Sequence, residues 1–214
     1  MPKLKLIRNL SEEEISSRLA EIDHKKEMQG KYHARFPPEM FNGYPQSASV
    51  LIPMLKIKGE WEILFTRRTS SLPEHSGQVA FPGGRADPED DTPEDTALRE
   101  AEEEIHLSPK DVTVLGRLKE LRTISNYCVQ PIVGKIPWPY EFKLAEEEVS
   151  RIFTIPLEWL ADPKNRSIHY RELPKPHSPI PVIYFERYDG ELLWGVSAEI
   201  TLNFLESLKL IFSE

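Results

Sequence analysis

At 214 residues the chain fits one domain, with length left for an appended segment. A hydrophobic content of 39% with 29% charged residues suits a soluble globular protein. The net charge of −8 excludes a nonspecific nucleic-acid binder, yet leaves a phosphorylated ligand open if a metal bridges the two. The single cysteine, Cys128, excludes an internal disulfide and reads as a core filler. No apolar run is long enough to span a membrane and no apolar leader follows Met1, so the expected setting is cytoplasmic, with no membrane partner.

Residues 11–22 read as a helix. Ser11 caps it, Glu14 completes a capping box, and Ile15, Leu19 and Ile22 form its apolar stripe. Residues 27–46 are polar and turn-rich, with Pro37-Pro38 and Gly43-Tyr44-Pro45. They read as an arm that covers the core, or as one that pairs two copies into a homodimer. Residues 48–55 form a strand, Gly59-Glu60 turns the chain, and 61–66 return it. Arg67 and Arg68 end that strand, and the polar stretch 70–76 leads to a further strand around Gln78–Phe81.

Phe81-Pro82-Gly83-Gly84 reads as a strand end and a tight turn, whose two glycines let the backbone approach a ligand or ion closely. After an acidic loop, Thr92 caps a helix from Pro93 to about Ile105, with Asp95 three residues beyond the cap. At roughly 100° per residue, Leu98, Ala101 and Ile105 share one side with Ala97 at its edge. Glu100, Glu103 and Glu104 fall opposite. Like charges at these spacings repel by a few tenths of a kcal/mol per pair. Such a face is either plainly solvated or ligates a hard divalent cation, Mg²⁺ or Mn²⁺. The glycines and the acidic loop tilt the reading towards a metal and phosphate site. Arg99 lies four residues before Glu103, placed to pair with it or orient it.

Further on, residues 112–118 read as a strand, 122–126 as a loop, and 127–133 as a strand in which Pro131 argues for an edge or a bulge. Pro137-Trp138-Pro139-Tyr140 is a stiff aromatic turn. Residues 162–181 are proline-rich and basic, with Lys164, Arg166, His169, Arg171, Lys175 and His177. They form either a lid that meets an extra phosphate of a nucleotide or an exposed loop. Residues 182–187 read as a strand, Asp189-Gly190 as a hairpin turn, and 192–195 as its return. A final helix packs Leu202, Leu205, Leu208 and Phe212, and there is no internal repeat.

The stretch from Gly84 to Leu107 resembles the Nudix box: Gly, five residues, Glu, seven residues, then R-E-U-x-E-E-x-G-U. Arg99-Glu100-Ala101-Glu102-Glu103-Glu104-Ile105-His106-Leu107 fills its second half. His106 replaces the pattern's Gly, so the helix is expected to end without the usual residue for positive φ. Counting back from Arg99, Asp91 takes the place of the first Glu, with one extra residue before it. Leu64-Phe65-Thr66-Arg67-Arg68, Gly77 and Phe81-Pro82-Gly83-Gly84 are similar to the signature of the coenzyme A pyrophosphatase branch of the family. Thr69 replaces a small Ser or Ala there, and Pro73 replaces an Arg. That loss removes a bidentate phosphate donor, for which the nearby His75 is a candidate substitute.

The resemblance covers about residues 47–212 and implies an α/β fold, a Nudix-type α/β/α sandwich with a mixed sheet between helices. Residues 1–46 would be an N-terminal helix and arm, and 47–214 the hydrolase domain. It implies Mg²⁺ or Mn²⁺ held by Glu100, Glu103 and Glu104 with the Gly84 carbonyl, and Arg67, Arg68 and His75 on the substrate. Glu103, Glu104 or Glu148 would take a proton; Glu148 lies in Glu146-Glu147-Glu148-Val149, similar to a family turn before the last strand and short helix. Trp194-Gly195-Val196-Ser197-Ala198 is similar to the closing W-G-x-T-A. The implied reaction is hydrolysis of a diphosphate in coenzyme A or acyl-coenzyme A to 3′,5′-ADP and 4′-phosphopantetheine. Pro73 keeps another nucleoside diphosphate derivative (ADP-ribose, NADH or dinucleotide type) as the alternative substrate. A non-catalytic nucleotide-binding module is the third reading, against which the intact Glu100, Glu103 and Glu104 argue.

Overall fold

Strand β1 (Gln46–Ile57) organises the sheet, because its side chains alternate between two cores. Leu51 and Leu55 enter one apolar cluster, Ile52 and Met54 the other. The structure is a computed structural model and describes residues 7, 9–22, 24, 41, 43–70, 76–173, 175 and 177–211. The expectations for the arm at 27–40, for Pro73 and His75, and for Phe212 therefore lie outside the described residues.

Helix α1 (Glu12–Ala20) starts with the expected capping box between Ser11 and Glu14, and buries Ile15 and Leu19. β1 turns at Gly59 into β2 (Glu60–Arg68), its antiparallel neighbour. The short β3 (Val79–Ala80) pairs with β2, and β4 (Gly83–Arg85) pairs with β1. Helix α2 (Pro93–Ile105) follows, then β5 (Thr113–Arg117), β6 (Leu121–Arg122) and β7 (Tyr127–Lys135). β8 (Val149–Pro156) pairs with β2 and leads into the short helix α3 (Leu157–Ala161). A separate hairpin, β9 (Arg166–Arg171) with β10 (Ile180–Phe185), precedes the last helix, α4 (Gly195–Ser207).

Among the described residues, β1 to β8 form one mixed sheet. β1 and β7 run parallel from Gln46↔Tyr127 to Met54↔Lys135, and the other pairs are antiparallel. Ala97, Ala101 and Ile105 of α2 pack on the Leu51 face. Ile15 and Leu19 of α1, with Leu202 and Leu205 of α4, join the core on the Ile52 face. The expected α/β/α sandwich with a mixed sheet is therefore the observed architecture. No helix among the described residues is long and apolar enough to cross a membrane.

Several expectations are corrected. Gly83 and Gly84 lie in strand β4 rather than in a tight turn. A Cβ on Gly83 would stand 2.4 Å from the Ser49 carbonyl oxygen, so only glycine allows this pairing against β1. Pro131 lies in a central strand, not at an edge. It falls in the gap where β6 gives way to β5, and its carbonyl, on the side of the missing N–H, accepts from the Leu118 amide at 3.0 Å. The basic stretch is no simple loop, since residues 166–171 are strand β9. β10 pairs with β9 along its whole length and reaches 192–195 only through a bridge between Tyr184 and Trp194. The turn at Asp189-Gly190 is present, closed by Tyr188 and Glu191. In the aromatic turn Tyr140 packs against Phe142 with the two rings tilted, while its hydroxyl accepts from the Ser108 amide and donates to Asp111.

Candidate active site

Helix α2 begins where it was expected to. Thr92 Oγ1 accepts from the Asp95 amide at 3.2 Å, and the Asp95 carboxylate accepts from the Thr92 amide at 2.8 Å. Its end is the unexpected part. His106 takes the left-handed conformation itself, with φ 60° and ψ 32°, so the helix closes with the usual geometry on an unusual residue. The His106 amide donates to Glu102 at 2.9 Å and the Leu107 amide to Ala101 at 3.3 Å. The next orphan carbonyls are capped from a distance: the Ala145 amide reaches Glu104 and the Lys143 amide reaches Ile105. This pins the loop that carries Glu148 to the end of α2. The Glu148 carbonyl in turn accepts from the Thr69 amide at 2.9 Å.

The three glutamates do not share one exposed face. Residues 97, 101 and 104 follow the i, i+4, i+7 stripe of a helix, so Glu104 joins the buried side and is only 3% exposed. Glu103 stands out in solvent, with 61% of its side chain exposed. Glu100 lies between them, directly over Gly84, where a Cβ would be 2.4 Å from its carboxylate. Gly84 is thus needed for close approach, here of the Glu100 carboxylate.

Arg99 ties this end together. It donates to Glu100 at 2.9 Å, to Glu103 at 3.2 Å, to the Arg85 carbonyl at 3.0 Å, and through two nitrogens to Asp90 at 2.9 and 3.1 Å. The last pair is bidentate, and the Asp90 side chain is only 6% exposed. Counting residues pointed to Asp91, but Asp91 faces solvent and Asp90 holds the arginine. The loop makes the difference by folding on itself, with the Asp87 amide donating to Asp90 and the Glu89 amide to Asp87. Arg99 holds the Asp90 carboxyl well below the usual carboxylate range.

The other carboxyls move the opposite way. Burial pushes Glu104 up to about 8, against the attraction of Arg68 and the Gly83 amide; the charges of Glu100 and Glu148 add to the rise. Burial also raises Glu100, opposed by Arg99, with Glu103 and Glu148 adding to the rise. Glu100, Glu104 and Glu148 are therefore close enough to feel one another. Arg68 stands 3.7 Å from Glu104. Arg67, its neighbour on β2, pairs instead with Glu191 at 3.4 Å, the β2–β8 register shifting between the two arginines.

Among the described residues no three His, Cys, Asp or Glu side chains converge into a ready metal cage. Arg99 draws Glu100 and Glu103 to itself instead. The donor chemistry nonetheless fits a hard divalent cation. Glu104 Oε2 is buried without a hydrogen-bond partner, Glu100 and Glu148 bring more carboxylate oxygen, and the Gly84 backbone runs beneath Glu100.

A cavity of about 600 Å³ opens beside this cluster. Its lining includes Arg68, Phe81, Gly83 and Gly84 from the expected motifs, but not Arg67. It also includes Arg85, Arg122, Arg171 and Trp194. Sequence reasoning did not single out Arg85 or Arg122, since a lone arginine after a short strand carries no local signal. Trp194, stacked on Tyr184 at 5.5 Å, was visible only as part of a closing motif.

The NUDIX domain family matches residues 45–176. The chain is 39% identical over 171 residues to proteins described as "Uncharacterized Nudix hydrolase NudL" from Yersinia pestis (strain Pestoides F) and Yersinia pseudotuberculosis serotype O:1b (strain IP 31758). The alignments cover 79% of this chain and 83% of theirs. Among solved structures, a C. elegans Ap4A hydrolase binary complex is 25% identical over 52% of this chain and 80% of its own, with a TM-score of 0.45. A MutT/nudix family protein from Enterococcus faecalis is 13% identical over 92% of this chain and 73% of its own, with a TM-score of 0.49. A family match across more than half the chain, joined to relatives of this identity and extent, fixes the assignment: the protein belongs to the Nudix hydrolases and is a Nudix pyrophosphohydrolase.

Proposed function

We propose that the protein hydrolyses the diphosphate linkage of coenzyme A or an acyl-coenzyme A, releasing 3′,5′-ADP and 4′-phosphopantetheine. The observation that carries this reading is the charge of the cavity. In a chain of net charge −8, Arg68, Arg85, Arg122 and Arg171 line it against one carboxylate, Glu199. A polyanion is the ligand such a wall selects. The branch signature supports the same substrate, because its Arg68, Phe81, Gly83 and Gly84 all lie on that wall. Pro73 in place of an arginine favours the second reading, another nucleoside diphosphate derivative.

Nudix hydrolases use divalent metal ions, and we take Mg²⁺ or Mn²⁺ to be held by Glu100 and Glu104 with the Gly84 carbonyl. Glu103 would join them once released from Arg99. When bound, the ion neutralises phosphate charge and lowers the pKa of its water. The rest falls to side chains. Arg68 stabilises charge that grows on the phosphate oxygens. Glu148, on a loop fixed to α2 and β2, accepts the proton as water oxygen bonds to phosphorus and the bridging P–O bond breaks. We assign this chemistry to a domain of residues 47–214, with 1–46 as an N-terminal helix and arm.

The test is a substrate panel of coenzyme A, acyl-coenzyme A, ADP-ribose, NADH and diadenosine polyphosphates with Mg²⁺ or Mn²⁺, with products read by chromatography. Preferred release of 3′,5′-ADP from coenzyme A supports the reading. Preference for another member sinks the substrate while keeping the chemistry.

A further inference from the structure

We propose that Arg122 and Arg171 form a second anion subsite that binds a phosphate monoester on the substrate's nucleoside, apart from the diphosphate that is cleaved. The inference rests on reading the pocket as a diphosphate hydrolase site, and it assigns a role to two residues which the chemistry at α2 does not use.

Both residues line the same cavity as Arg68 and Gly84, so one ligand can reach both ends. They arrive from different sheets. Arg122 ends β6 of the large sheet, and Arg171 ends β9 of the separate hairpin, opposite Ile180. Their surroundings explain why a phosphate suits them. Arg122 gives one nitrogen to the neutral Asn126 side chain at 2.8 Å, and its guanidinium lies 3.9 Å from the centre of the Phe41 ring. Its Nε is buried without a hydrogen-bond partner. Among the described residues neither arginine forms an ion pair, and no hydrogen bond engages the Arg171 side chain. A planar guanidinium with several free donors matches the oxygens of a phosphate better than it matches water.

The wall between the two ends is apolar, with Val50, Phe81, Leu121, Ile183 and Trp194 along it. A nucleoside can lie there, with its diphosphate over Gly84 and a ribose phosphate at the arginines. The basic character of residues 162–181 then has a definite focus. Arg171 faces the pocket, while Lys164, Arg166, His169 and His177 are not part of its lining.

The experiment compares coenzyme A with dephospho-coenzyme A, which differ by one ribose phosphate, and 3′,5′-ADP with 5′-AMP as non-reacting ligands. The full-length protein, Arg171→Ala, Arg171→Lys and Arg122→Gln are each assayed for kcat/KM and titrated by calorimetry. Wild type is expected to favour the phosphorylated member of each pair about tenfold or more. Arg171→Ala and Arg122→Gln should bring that ratio close to one, and Arg171→Lys should keep part of it. Arg171 is exposed, so its variants test the subsite even if Arg122→Gln fails to fold. Equal binding of 3′,5′-ADP and 5′-AMP by wild type overturns the inference. So does an equal loss on both members in Arg171→Ala. If neither form of coenzyme A is cleaved, the proposed substrate fails. A preference for 3′,5′-ADP that Arg171→Ala abolishes would still uphold the subsite.

Discussion

At the α2 end of the pocket the charges hold one another, since Arg99 alone engages Asp90, Glu100, Glu103 and the Arg85 carbonyl. At the other end, Arg122 and Arg171 face the cavity with no ion pair among the described residues. The first end is assembled by ion pairs before a ligand arrives, and the proposed metal site would draw Glu103 out of them. The second leaves donors open, which is what recognition of a variable part of the substrate requires. Substitutions at the first end should therefore change turnover or folding. Those at the second should change which substrate is chosen.

The sharpest break is Glu104→Gln. Removing the buried carboxylate should lower kcat about 10³-fold, of the order seen when a key electrostatic group is lost. The same variant should melt at a higher temperature than wild type in chelator above neutral pH, because a neutral isostere avoids the cost of a buried charge. A wild-type kcat would remove Glu104 from the site. Arg99→Met should come next. It strands Asp90 in a nearly buried position and costs about 3 kcal/mol of stability by urea denaturation. A loss below about 0.5 kcal/mol would show that the network is ornamental. Gly84→Ala should reduce kcat about 10- to 100-fold with little loss of stability, since its methyl would displace the Glu100 carboxylate rather than backbone.

Acid and base should act on this end in opposite senses. Glu104 is raised from 4.5 to about 8, so its contribution to stability is full below 4.5 and is lost as pH rises through 8. Asp90 is depressed from 3.8, so its contribution is full above 3.8 and is lost only as pH falls well below that value. In chelator the melting temperature should therefore fall between pH 5 and pH 8, and Mg²⁺ at pH 8 should restore it by binding the folded state. A flat profile in chelator would mean that Glu104 is not buried as described. The smallest effect should be His106→Gly, which relieves a left-handed residue at the end of α2 and should stabilise by about 0.5 kcal/mol.

Much of the first end was legible in the chain. Capping residues act locally, so Ser11 with Glu14 and Thr92 with Asp95 could be read from spacing alone, and the apolar run of 48–55 could be read as a strand. Glu104 could have been read too, because the stripe 97, 101, 104 is plain helix geometry; centring that stripe on Leu98 instead put Glu104 on the wet side. Asp90 could not, as the fold of the acidic loop decides which carboxylate meets Arg99. The second end was hardly legible at all. Strand β9 is polar and mostly exposed along its length, so no buried apolar face marks it in the sequence. Arg122 and Arg171 meet one cavity only through the packing of two sheets. Pro131 shows the same limit, since its place in a central strand depends on where β5 and β6 part.

The parallel pairing of β1 with β7 also sets the order of events on the way to the native state. Gln46 cannot reach Tyr127 until the whole intervening chain has looped out, and such a closure is slow because its entropy is spent before its contacts form. β4, the acidic loop and α2 all lie inside that loop, and the Glu104 carbonyl is capped by Ala145 from beyond it. The local caps can start α2 early, but Glu100 meets Gly84, and Glu104 meets Arg68, only when the centre of the sheet has closed. Catalytic competence should thus be the last property regained on refolding, after the helical signal has returned.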